Sequence, residues 1–185
     1  MFLRKSRIEP LPVTMSAVRM GERVLQIGVD DPTVASAIAA KVGLSGNAAI
    51  AVSDDRDAAR AHGAAASAGV LVDVKVTPLA PLPFDNDAFD LVIVHSARGL
   101  LSSIDADARL AAMREWHRVL RQGGRVMTIE PGAVSGIKSL IQPRRSDDAF
   151  EGPGGIVAAL ESAGFRPARV LADREGYKFA EGIKL

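Results

Sequence analysis

Between residues 23 and 95, short apolar runs alternate with Ala-rich stretches that open at an aspartate, and few folds accommodate that alternation. Arg23–Ile27 reads as a first strand halted by Gly28. Asp31-Pro32 then marks a helix start, because the aspartate can accept an early backbone N–H and proline sits where its missing donor costs nothing. Residues 33–42 carry that helix to Gly43. Residues 48–52 form a second strand, and residues 55–67, capped by Asp54 or Asp55, a second helix closed at Gly69. Residues 70–76 make a third strand, Val-rich and expected to be buried on both faces. Strand and capped helix in strict alternation are the mark of a parallel sheet built from βαβ units.

The pattern continues downstream. Phe89–His95 is a fourth strand. Residues 105–120 predict a long amphipathic helix, with Leu110, Met113, Trp116, Val119 and Leu120 at helical spacing. Gln122-Gly123-Gly124 turns into a fifth strand over residues 125–130. Residues 154–162 read as a helix, residues 165–171 as a sixth strand and Tyr177–Ile183 as a seventh. The last two are joined by Asp173-Arg174-Glu175-Gly176, too short for a crossover, so they are expected to be antiparallel. Upstream, residues 14–20 predict a short helix ended by Gly21, with Pro10 and Pro12 barring any earlier one. No repeat or linker interrupts the chain. One domain is expected over residues 1–185, with its core at 21–183 and residues 1–20 as an N-terminal extension.

Composition removes several function classes. The chain has 185 residues, enough for one self-sufficient core. It has no cysteine, which excludes a disulfide framework and a thiolate zinc site. No His/Asp/Glu spacing suggests any other metal site. The net charge of +1 gives no general reason to expect a nucleic-acid partner. Met1–Arg7 begins with charge, but no apolar run of a signal peptide's length follows. No stretch is long and apolar enough to span a bilayer. A cytoplasmic location is expected.

Three stretches in order carry a family resemblance: Val24-Leu25-Gln26-Ile27-Gly28, Leu82-Pro83-Phe84 leading into Phe89-Asp90-Leu91-Val92, and Arg118-Val119-Leu120-Arg121-Gln122-Gly123-Gly124. Ala163-Gly164-Phe165 adds a fourth. Together the chain resembles the class I S-adenosylmethionine (SAM) dependent methyltransferases, most nearly the small-molecule, quinone-biosynthesis type. The resemblance implies an α/β fold: a doubly wound, Rossmann-like, seven-stranded sheet, mostly parallel with an antiparallel C-terminal hairpin. It also implies SAM as cofactor, bound outside the carboxyl ends of the strands, and a small-molecule acceptor.

The cofactor loop departs from the family pattern of an acid followed by G-x-G-x-G. Gln26 replaces the acid, Gly28 remains, and Asp30 and Pro32 stand where further glycines would be. The ribose-binding acid at the end of the second strand falls on Ser53, with Asp54 one residue later. The adenine-contacting acid falls on Pro78. Two readings follow. In one, the chain is a working methyltransferase whose Gln26, Gly28, Asp30 and Asp54 make adapted cofactor contacts. In the other, it is a catalytically inactive binding or scaffold module of the same shape, with a homodimer among its arrangements. A different ligand in the same crevice is a third option. A dinucleotide dehydrogenase is disfavoured, since G-x-G-x-x-G is absent after the first strand.

Methyl transfer asks mainly for in-line placement, plus a base where the acceptor must lose a proton. His95, ending the fourth strand, is the candidate base or acceptor-orienting group; its plainer reading is a partly buried strand-end residue. Arg98 could bind an anionic acceptor, and Glu130, ending the fifth strand, could line the pocket. His95-Ser96-Ala97-Arg98 offers no N-P-P-Y element, which counts against a DNA-adenine or protein-glutamine methyltransferase. Residues 132–153 are expected to cover the acceptor side as a lid.

Overall fold

The computed structural model describes residues 9–132, Phe150 and residues 154–185. The expected lid falls almost wholly outside them. The elements run α1 (Leu11–Ser16), β1 (Arg23–Ile27), α2 (Pro32–Val42), β2 (Asn47–Val52), α3 (Asp55–Ala68), β3 (Asp73–Val76), β4 (Phe89–His95), α4 (Ala106–Val119), β5 (Leu120–Pro131), α5 (Gly155–Ser162), β6 (Ala168–Arg174) and β7 (Tyr177–Ile183). They build a seven-stranded sheet of order β3-β2-β1-β4-β5-β7-β6. The pairs among β1 to β5 are parallel, while β7 is antiparallel to both β5 and β6. This is the doubly wound architecture the alternation called for.

Alternate residues of each strand feed two layers. Val24, Leu91, Ile93, Met127, Ile129 and Phe179 pack with α1 and α2 residues such as Val13, Val34 and Ile38. Leu25, Ile27, Val92, Val94 and Val126 pack on the other face with Met113, Trp116 and Val119 of α4 and Ile156 and Leu160 of α5. The α2 and α3 caps form as read: Asp31 Oδ1 accepts the Thr33 N–H at 2.8 Å, and Asp54 Oδ1 accepts the Asp57 N–H at 2.8 Å.

Five expectations shift. α1 begins at Leu11, three residues earlier than expected, because Pro10 and Pro12 flank the helix start, where proline initiates rather than breaks. β3 spans only Asp73–Val76 and is largely exposed, since it is the sheet edge and not a buried central strand. β5 extends back to Leu120, with Gly123-Gly124 absorbed in a register shift against β4 rather than forming a separate turn. β6 begins at Ala168, so Phe165 is fully buried ahead of the strand. The β6–β7 turn narrows to Glu175-Gly176, at φ +55° and +78°, the left-handed pair that a two-residue hairpin requires.

Candidate functional site

All parallel strands point their carboxyl ends at one edge. The chain order reverses between neighbouring β1 and β4, so their following loops diverge and leave a crevice. A cleft of about 480 Å³ opens there, bounded by Asp30, Asp31 and Pro32 after β1, His95 and Arg98 at the end of β4, and the β6–β7 turn. Its volume lies within the roughly 300–1,000 Å³ of small-molecule sites.

Gly28, which follows β1, is packed against the end of β4 and lies outside the lining. Its φ is +75°, and an added Cβ would sit 3.1 Å from the His95 carbonyl oxygen. Close approach and left-handed backbone together require glycine here. Asp30 and Pro32 are not among the residues at positive φ, so the backbone at these two positions makes no demand for glycine. Instead, Asp30 Oδ2 accepts the Arg98 N–H at 3.2 Å, tying the β1 loop to the β4 loop. Burial pushes the Asp30 carboxyl up, and the Arg98 and Ala97 N–H groups partly reverse that. Arg60 of α3 donates to the Asp30 carbonyl at 3.2 Å and to Asp57 at 2.6 Å.

Gln26 and His95 project from neighbouring strands toward α2. Gln26 is fully buried and absent from the cleft lining. Its Nε2 donates to the Ala35 carbonyl at 2.9 Å, and its Oε1 lies 2.9 Å from His95 Nε2. A carbonyl can only accept, so the amide orientation is fixed and Oε1 must accept in turn. His95 therefore carries its proton on Nε2 and leaves Nδ1 bare. Burial lowers its pKa to about 4, with Asp31 pulling weakly the other way, so the ring is neutral at physiological pH. Gln26 orients His95 through its amide and, fully buried, does not reach the cleft lining.

The structure thus brings Asp30 and His95 to the cleft, sets Gln26 one layer beneath, and leaves Gly28 and Asp54 outside the lining, Asp54 as the α3 cap. Arg60 and Glu175 were missed as cleft residues. Arg60 reaches the site only because α3 begins at the same sheet edge; its i,i+3 spacing from Asp57 was the one signal available. Tyr177, the first residue of β7, also lines the cleft. Glu130 lies on the opposite face of β5, 4% exposed, with burial raising its pKa to about 7. Among the described residues, no group of three His, Cys, Asp or Glu side chains could hold a metal ion.

Comparison with known proteins agrees with this geometry. A family defined as a methyltransferase domain matches residues 17–128. The chain is 32% identical over 174 residues to a ubiquinone/menaquinone biosynthesis C-methyltransferase UbiE of Ralstonia pickettii (strain 12J), covering 94% of this chain and 64% of that one. Its counterpart in Cupriavidus metallidurans is 31% identical over 118 residues, covering 64% of this chain and 46% of that one. The chain therefore spans between about half and two thirds of the length of these relatives. Among solved structures, a SAM dependent methyltransferase from Aquifex aeolicus superposes with a TM-score of 0.74 at 17% identity, over 94% of this chain and 87% of that one. PigF with SAH superposes at 0.67 and 18% identity, over 88% and 50%. These structural likenesses bear on the fold. With more than half its length matched, this chain belongs to the methyltransferase-domain family.

Proposed function

We propose that the protein transfers a methyl group from SAM to a small-molecule acceptor, with SAM seated where strand order reverses between β1 and β4. The observation that carries this is the cleft itself: it lies at the carboxyl edge of the sheet, and its walls hold carboxylates and guanidinium groups together. Those groups fit the amino-acid end of SAM, a zwitterion. Asp30 and Asp31 suit its ammonium, and Arg98 suits its carboxylate. Gly28 lets the β1 loop pass close to the His95 carbonyl, where a Cβ would crowd it at 3.1 Å. Asp54, at the end of β2, uses Oδ1 in its cap and retains Oδ2 to accept a ribose hydroxyl.

SAM supplies an electrophilic methyl on a sulfonium. The chain's own contribution is placement. His95, held in one tautomer by Gln26, presents a bare Nδ1 that orients the acceptor or receives a hydrogen bond from it. A depressed pKa makes it a weak base, and a steady acceptor of hydrogen bonds. The two UbiE relatives are described as methylating carbon in quinone biosynthesis; acceptor and pathway here are left at the level of a small molecule. The same reading sets the protein in the cytoplasm, without a nucleic-acid partner. No described helix is long and apolar enough to cross a membrane. A homodimer is the assembly to look for by light scattering.

Calorimetric titration of the full chain with SAM tests the proposal. Micromolar binding is expected, weakened about tenfold or more in Asp30→Asn by loss of a charge-assisted contact. Absence of heat at millimolar SAM would overturn it.

A further inference from the structure

The loop after β1 is braced residue by residue, and one brace is a side chain that the methyl-transfer reading leaves without a role. The Gly28 N–H donates to the Ala51 carbonyl of β2 at 2.8 Å. Val29 is buried and packs with Ala58 and Ala61 of α3 and Ala35 of α2. Asp30 is held at both of its polar groups. Its carboxylate accepts the Arg98 N–H, and its carbonyl accepts a bond from Arg60 Nη2 at 3.2 Å. The peptide after Asp30 is trans, so a carbonyl turned toward α3 sends the Asp31 N–H the other way and fixes the chain where it enters α2. Arg60 can hold that peptide because it is itself anchored. It lies in the second turn of α3, half-buried, with Nη1 on the Asp57 carboxylate at 2.6 Å. The guanidinium is a rigid planar fork, so a bond at one prong aims the other.

We infer that Arg60 is a positioning residue of the donor site: by fastening the Asp30 carbonyl to α3, it aims the Asp30 and Asp31 carboxylates at the ammonium of the methyl donor. This rests on the methyl-transfer reading. Arg60 and both aspartates line one cleft. Carboxylates already in place hold a cationic group at less cost than carboxylates that must be ordered as it binds. Without Arg60, the Asp30 carboxylate keeps its bond from Arg98, but the carbonyl is free to turn and the two acids lose their fixed spacing. The nucleoside end of the donor does not depend on this brace. Asp54, at the end of β2, is set by the α3 cap, which uses the Asp57 N–H and not the Asp57 side chain.

Calorimetry on the full chain separates the two ends of the donor with two probes: S-adenosylhomocysteine, which carries the amino-acid end, and methylthioadenosine, which lacks it. Wild type is expected to bind the first more tightly. Arg60→Met, which keeps the aliphatic stem, is expected to weaken S-adenosylhomocysteine about tenfold or more and to leave methylthioadenosine unchanged. The amide NMR signals of Asp30 and Asp31 should move in the free variant. Should Arg60→Met fail to fold, Asp57→Ala serves, since it unties the guanidinium and spares the cap; the same split between the probes is expected. Unchanged S-adenosylhomocysteine affinity, an equal loss for both probes, amide signals that stay in place, or a wild type that binds both probes alike would each overturn the proposal. Wild type that binds neither probe at millimolar concentration would instead overturn the methyl-transfer reading beneath it.

Discussion

Two buried ionisable side chains at the carboxyl edge work against each other. Glu130 has a folded pKa of about 7, above its ordinary 4.5, so the stability it favours is complete below pH 4.5 and is lost as pH rises through 7. His95 has a folded pKa of about 4, below its ordinary 6.5, so its stability is present above pH 6.5 and is lost as pH falls through 4. Between about pH 4.5 and 6.5 the slopes oppose and mask one another. Glu130→Gln should uncover the histidine slope, and its stability advantage over wild type should grow by about 3 kcal/mol from pH 4 to pH 8. Urea unfolding at each pH measures this; a gap that does not change with pH would refute the burial argument. Gly28→Ala should cost about 2 kcal/mol through its left-handed backbone, a loss readable in the same unfolding curves. Residue identity announced some of this. Gly28 survives where a backbone demand survives. By contrast, Gln26 was legible as a departure from an acid, yet its partners Ala35 and His95 depend on which way the side chain points after the strands pair, and no local pattern carries that.

At the scale of elements, the capped helices were the most readable feature, because a cap is a local bargain between one side chain and one N–H. Asp54 shows how a local rule and a site can share a residue. Asp54→Ala should lower stability by about 1 kcal/mol through loss of the α3 cap, while Asp54→Asn should retain the cap and report only on ribose binding. A thermal scan beside a SAM titration separates the two. Weakened SAM binding in Asp54→Ala with wild-type binding in Asp54→Asn would show that the residue acts through the helix alone. Strand position was less legible than strand existence. Residues 70–76 have the composition of a buried strand, but pairing with β2 on one side only makes β3 an edge. Likewise, Phe165 is apolar and fully buried without belonging to the strand it precedes, so burial and strand membership part company there.

For the molecule as a whole, strand order decides where function can sit. The reversal between β1 and β4 places the crevice, and the strict alternation of layers sends His95 to one face and Glu130 to the other. That much follows from the βαβ pattern. The contents of the crevice did not, because its walls gather from loops after β1 and β4, from α3, and from the β6–β7 turn, all far apart in sequence. The family match supports SAM chemistry, and the loop after β1 carries Asp30 and Pro32. The most direct test is an amide NMR titration of the full chain with S-adenosylhomocysteine, the product form of the methyl donor. Shifts concentrated at residues 28–31, 53–54 and 95–98 are what a donor site at the strand-order reversal predicts. Saturable shifts located elsewhere, or none at millimolar ligand, would contradict it.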